Sequence, residues 1–248
     1  MLKISLKTIK ETLSHKTLCS DIEISIKKGE THLLVGPNGA GKSSVAKAIM
    51  GDPNLKVTGS IQLDKTELRK LPMHKRSLAG LFLAHQTPVE IPGVTFFEFL
   101  REIFNQNKTI DNRADPITFK NMMSEHLTEL RLEKSFLEKD INHNLSGGEK
   151  KKSEILQMLV LEPRYVIFDE IDSGLDVDAL KLLFQVINSK IKTGDIGALL
   201  ISHNTKIHKY IDIDRVHIMD GGQIIKTGDI NLISKLGKEG YESIKKSS

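Results

Sequence analysis

The chain has 248 residues, 39% hydrophobic and 27% charged, with a formal net charge of +4 at neutral pH, enough for a sizeable core in one large domain or in a domain carrying a smaller lobe. Its longest apolar runs, such as "VIF" at 166–168 and "ALLI" at 198–201, fall far short of the roughly 20 residues of a membrane span, so direct membrane insertion is not expected. Basic and acidic residues are interspersed with no dense basic block, which predicts a mixed solvated surface and no nucleic-acid partner; the single Cys19 excludes an internal disulfide, fits a reducing compartment and is expected to be a small buried hydrophobe.

The opening "MLKISLKTIKETL" alternates charged and apolar residues without a continuous apolar stretch. It predicts a strand, not a signal peptide, and a cytoplasmic chain, or one in an organelle stroma if the source is a plastid-bearing cell. From Thr31, "THLLVGPNGAGKSSVAKAIMGD" predicts a strand, a glycine loop and a helix stopped by Gly51. Gly36, Gly41, Lys42 and Ser43 satisfy G-x-x-x-x-G-K-[ST], and the loop runs Gly36, Pro37, Asn38, Gly39, Ala40, Gly41, Lys42, Ser43, Ser44. Glycines let successive backbone N–H groups turn toward a phosphate, and the following helix presents its positive end to the same anion. Lys42 then reaches the β- and γ-phosphates, and Ser43 offers a hydroxyl to Mg2+. An ordinary tight turn is the plainer alternative, but the flanking strand and helix favour a nucleoside-triphosphate site.

The next informative stretch is "AHQTPVEIPGV", residues 84–94. Its two prolines rule out a helix and disfavour a central strand, which leaves a stiff extended loop. Val89, Ile91 and Val94 are then either an exposed apolar cluster suited to a partner or side chains tucked under a helical lobe. Beyond lies a polar, turn-rich loop at 105–116, then Met122, Met123, Leu127 and Leu130 at helical spacing, expected as core. "RYVIFDE" at 164–170 predicts a strand ending in two carboxylates. Such acids often cap a helix. With a phosphate loop in the same chain, Asp169 is expected to hold the metal and Glu170 to polarise an attacking water. "GALLISH" at 197–203 brings Ser202 and His203 to the same sheet edge, "MDGGQIIKTG" predicts a hairpin, and the chain from Asp229 predicts a short amphipathic helix with a frayed "KKSS" end.

With "GPNGAGKSS", "LSGGEKKK", "VIFDE", "DSGLD" and "ISH" in order, the chain resembles the ATP-binding-cassette (ABC) ATPases along essentially its whole length. The resemblance implies an α/β fold: a P-loop ATPase core, with a mixed sheet, a RecA-like lobe and an antiparallel β portion, and an inserted helical subdomain. The core lobe would take 1–84 and 161–248, and the helical subdomain 85–160. It also implies a Mg2+-dependent ATPase yielding ADP and phosphate, in which two copies close on two ATP molecules. Ser146 and Gly148 of "LSGGE" would reach the γ-phosphate held by the other copy, and Ser173–Asp176 would run along the seam. Gln86 would link Mg2+ to the helical lobe, and His203 would sense the γ-phosphate. An adenine-stacking aromatic is absent from "TIKETLSHKTL"; His15 is the candidate substitute, against a role as a solvent-facing turn residue.

Four stretches, "EKKKSEILQMLVLEP", "TPVEIPGV", "EIDSGLDVDALK" and "MGDPNLKVTGSI", are similar to the soluble branch of this family that serves iron–sulfur cluster assembly. That likeness implies a SufB–SufD scaffold as partner, since one cysteine cannot supply the about four ligands a cluster takes. The alternatives are the ATP-binding subunit of a membrane transporter and an inactive nucleotide-dependent module.

Overall fold

The computed structural model describes residues 1–106 and 108–246. Its elements in chain order are β1 (Leu2–Glu11), β2 (Thr17–Ile26), β3 (Thr31–Val35), α1 (Lys42–Met50), β4 (Leu55–Leu63), β5 (Thr66–Glu67), α2 (Met73–Leu78), β6 (Leu81–Ala84), β7 (Ile91–Thr95), α3 (Phe96–Asn105), α4 (Pro116–Glu129), β8 (Asp140–Ile141), α5 (Gly147–Leu161), β9 (Tyr165–Asp169), α6 (Val177–Lys192), β10 (Gly197–Ile201), β11 (Arg215–Asp220), β12 (Gln223–Gly228) and α7 (Asn231–Lys246).

Two main sheets result: antiparallel β2-β1-β4-β5 and six-stranded β12-β11-β3-β10-β9-β6. In the second sheet every pairing is parallel except β11–β12. Its central strands are buried on both faces, as their unbroken apolar runs require. Leu33, Val35, Val166, Phe168, Ala198 and Leu200 face one core, shared with α3 to α7. Leu34, Ile167, Leu199 and Ile201 face the other, filled by α1 and the antiparallel sheet. In β1 the alternation places Leu2, Ile4 and Leu6 inside, and a register shift between Leu6 and Thr8 changes the phase so that Ile9 is also buried.

The expected strand–loop–helix around Lys42 forms, with Gly51 closing α1 in the left-handed conformation. The expected strands at 164–170 and 197–203 and the hairpin at β11–β12 also form. Other expectations need correction. The first strands are ten residues each, not short. Met122 is 40% exposed, whereas Met123, Leu127 and Leu130 are buried; it lies one position off the stripe that faces the core. The proline segment is not loop throughout: Ile91–Thr95 pairs with Asp140–Ile141 in a two-stranded ribbon, an edge setting that tolerates Pro92. Residues 105–116 include the last residue of α3 and a 3-10 turn at Ile110–Asn112, with Asn107 outside the described residues. The final helix α7 is interrupted at Gly240, where φ is 73° and ψ 173°, and the last two residues of "KKSS" also lie outside the described residues.

Candidate functional site

The C-terminal ends of β3, β9 and β10 and the N-terminus of α1 converge on one cleft, lined by Asn38, Gly39, Gly41, Lys42, Ser43, Ser44, Gln86, Glu170 and His203. Two glycines make the loop possible. A Cβ on Gly36 would lie 2.2 Å from the Met219 carbonyl oxygen, and Gly41 has φ 101° with its missing Cβ 2.5 Å from Cys19 Sγ. Cys19 is thus packing beneath the loop, and burial pushes its thiol up to about 11. Helix α1 starts from Gly41 with no side chain capping it and no acid in its first turn. Its first N–H groups and positive end are left for an anion, which fits a phosphate.

Lys42 is buried at the base of this loop, its ammonium donating to the carbonyls of Gly36 (2.8 Å) and Pro37 (3.0 Å). Burial lowers its pKa, opposed by the charges of Glu170 and Asp169. Ser43 Oγ donates to Asp169 Oδ1 at 3.0 Å; burial raises the Asp169 pKa, and the Ser43 hydrogen bond opposes that rise. A hydroxyl and a carboxylate oxygen side by side at the phosphate loop are the hard donors a small divalent cation takes.

Asp169 ends β9, and Glu170 follows with φ 52°, a left-handed conformation costly for a residue with a side chain. The turn aims its carboxylate into the cleft. Gln86 Nε2 donates to Glu170 Oε2 at 2.6 Å, and His203 Nδ1 stands 3.7 Å from Glu170 Oε1. These two acids cap no helix; the next helix, α6, is capped by Asp176, which accepts from the N–H groups of Asp178 and Ala179. Ser202 serves the turn instead of the cleft, its buried hydroxyl donating to Asp172 Oδ2 at 2.8 Å.

The structure does not bring Ser146 and Gly148 to this cleft. Ser146 caps α5 in a capping box, accepting from Glu149 N while its hydroxyl donates to the Glu149 carboxylate. Glu149 is held down to about 2, first by its bond to Lys139 and then by Ser146. Ser146 and Gly147 are exposed and Gly148 is half-buried. His15 is an exposed turn residue with φ 56° and does not line the cleft.

Two residues near the site carry more than their sequence context suggested. Lys151 and Glu154 are each only 5% exposed on α5. Lys151 Nζ donates to the carbonyls of Gln86 (2.8 Å), His85 (3.4 Å) and Glu170 (3.4 Å). Glu154 Oε2 accepts from His85 N at 2.9 Å. Their signal was present as a Lys and a Glu three apart on a helix otherwise burying Ile155, Leu156 and Met158.

The ABC transporter family profile matches residues 19–173. A probable ATP-dependent transporter, ycf16, of Antithamnion sp. is 41% identical over 246 residues, covering 98% of each chain. Among solved structures, an ATP-binding subunit of an ABC transporter superposes with a TM-score of 0.77 at 25% identity, covering 100% of this chain and 98% of its own. A dimeric ATP-binding cassette in a post-hydrolysis state with ADP and Pi also gives 0.77, at 19% identity over 93% of this chain and 99% of its own, and shares the fold. The chain therefore belongs to the ABC transporter family and is an ATP-hydrolysing cassette.

Proposed function

We propose that this cassette is SufC-like: it hydrolyses ATP to drive iron–sulfur cluster assembly on a SufB–SufD scaffold. The observation that carries this reading is a contact. The stretches that resemble the soluble branch, "EKKKSEILQMLVLEP" and "TPVEIPGV", lie together. Lys150 Nζ reaches Glu90 Oε1 at 2.6 Å, and Asn142 Nδ2 donates to Val89 O at 2.8 Å while Ser153 Oγ holds Asn142. This joined surface leaves Val89 68% exposed and Ile91 38% exposed, while Val94 packs inward against the core. The expected partner cluster is thus two residues. It would be the docking face for the scaffold.

In the proposed chemistry Lys42 and the loop N–H groups hold the phosphates. Mg2+, bound by Ser43 and Asp169 with Gln86 beside them, would supply charge neutralisation on the phosphate oxygens. Glu170 orients the attacking water and takes its proton. Gln86 engages one oxygen of that carboxylate, Oε2, and the other, Oε1, faces His203 and is open to accept from the water. His203, 54% exposed, meets the γ-phosphate edge, and Ser146 and Gly148 come from a second copy, since their own cleft lies elsewhere. The nucleotide-dependent homodimer is the state in which both sites are complete.

The rival reading, a membrane transporter's ATP-binding subunit, draws on the relative named as an ATP-dependent transporter. Among the described residues no helix is long and apolar enough to cross a membrane. Pull-down of the full chain from its own lysate separates them: a cysteine-bearing SufB–SufD pair supports the assembly role, and polytopic membrane subunits overturn it. Replacing Val89 and Ile91 by Asp should abolish scaffold capture with ATP affinity and thermal midpoint unchanged; capture by that variant would move the docking face elsewhere.

A further inference from the structure

The segment from His85 to Thr95 is held from α5 and the residues before it at every few positions, and the side chains that hold its beginning are buried. There the backbone of His85 is held at both its N–H and its carbonyl. Glu154 accepts the His85 N–H, and Lys151 donates to the carbonyls of His85 and Gln86. The two side chains stand at i and i+3 on one face of α5, both buried, and they satisfy backbone groups that would otherwise be stranded away from water. The next side chain is Gln86, whose amide reaches Glu170. The start of α5 is Ser146, which the proposed function sends to the other copy's nucleotide. One helix thus carries the trans contact at its first residue and the grip on Gln86 two turns later.

We propose that Glu154 is a positioning residue for hydrolysis: it fixes the backbone at His85, next to Gln86, to α5, so that when α5 is drawn onto the partner's nucleotide, Gln86 moves with it and is withdrawn from or returned to Glu170. The proposal rests on the reading of Gln86 and Ser146 given above. Glu154 does not line the phosphate cleft. Lys151 is the other jaw of the grip and also touches the Glu170 carbonyl, so it ties the same helix to the turn that carries the base. Residues farther along reinforce the hold without reaching Gln86: Lys150 and His143 at Glu90, and Asp140 at the Gly93 N–H.

The test uses the full chain with steady-state turnover, ATP affinity of the isolated copy, thermal midpoint, and amide exchange of the 84–87 peptide. Glu154→Leu keeps the volume and removes the acceptor. It should lower kcat about tenfold, the effect of one lost hydrogen bond of about 1.4 kcal/mol, with ATP affinity unchanged and faster exchange of the His85 amide. Glu154→Gln retains an acceptor oxygen and should recover turnover to within about threefold, a loss of roughly 0.65 kcal/mol. In a Gln86→Ala background, Glu154→Leu should add nothing, because the group it positions is gone. Multiplicative losses would overturn the proposal, as would a Gln variant as impaired as the Leu variant or a His85 amide no faster to exchange. Should Glu154→Leu not fold, Glu154→Met, which also removes the acceptor, carries the same double-variant test. Normal turnover by Gln86→Ala alone would instead sink the role given to Gln86, while the exchange measurement still reports whether the grip exists.

Discussion

At the scale of single residues, the phosphate loop owes its shape to atoms that leave no room for alternatives. Lys42 spends its ammonium on the carbonyls of Gly36 and Pro37, a conformation that stiffens the loop and places the charge at the cleft floor. Lys42→Ala should weaken ATP binding about 10- to 100-fold, the loss of a charge-assisted bond of about 1.5–3 kcal/mol, read by calorimetric titration; unchanged affinity would remove Lys42 from the phosphate site. At the opposite end of the same strand, His32 Nδ1 and His217 Nε2 are 3.0 Å apart in the core, and His217 also meets Thr227 Oγ1 at 2.9 Å. Burial, then the neighbouring His32 and Arg215, pushes His217 down to about 3, so the folded chain keeps it neutral while the unfolded chain protonates it below pH about 6.5. The unfolded state therefore binds more protons between those values, and stability falls as pH drops through that window, by up to about 1.4 kcal/mol per pH unit. His217→Gln should flatten that slope between pH 6.5 and 5 in chemical denaturation; an equal slope in both proteins would show that the pair is not the source. Burial at the residue scale is also where the sequence is least legible. Lys42, Asp169 and Glu170 announce themselves by spacing, but Lys151 and Glu154 announce only a charge pair on a helix, and their partners at His85 and Gln86 are backbone atoms 65 to 69 positions away.

At the scale of elements, the strands and the glycine stop of α1 are legible because their rules are local. The glycine loop, the strand ending at Asp169 and the strand that leads to Ser202 follow from periodicity and breakers. The proline segment was read correctly as extended and wrongly as unpaired. Its β7–β8 pairing depends on Asp140 and Ile141, a two-residue strand whose register no local pattern encodes. Helix α5 illustrates how one element can serve two purposes. Ser146 caps it now, and the same hydroxyl is the one assigned to the partner's γ-phosphate, so its bond to Glu149 must be exchanged on closure. Ser146→Ala should cost about 1 kcal/mol of stability through the lost cap, leave ATP binding to the isolated copy intact, and reduce turnover far more than that cost accounts for. Denaturation and turnover assays on the same preparation check both halves; turnover falling only with stability would confine Ser146 to capping.

At the scale of the whole molecule, the proposed function gives one chain a full cradle for the phosphates and only part of the site for hydrolysis. Lys42, Ser43, Asp169, Gln86, Glu170 and His203 stand at the C-terminal ends of strands of a single sheet or on the segments that follow them, where open α/β sheets gather ligands. Ser146 and Gly148 stand apart at the head of α5. Without nucleotide, the chain should scatter light as a monomer at micromolar concentration with weak turnover, because a second copy must be brought close before the site is whole. A stable, fully active nucleotide-free dimer would contradict this.

The most direct test of the composite site is sedimentation velocity of Glu170→Gln with and without saturating Mg-ATP. The amide keeps the shape of the side chain and loses the charge that draws a proton from water, so ATP should persist. The account predicts a monomer without nucleotide and a dimer with ATP that vanishes when Ser146→Ala is added. A protein that remains monomeric with ATP bound, or one that hydrolyses ATP at the wild-type rate, would contradict it.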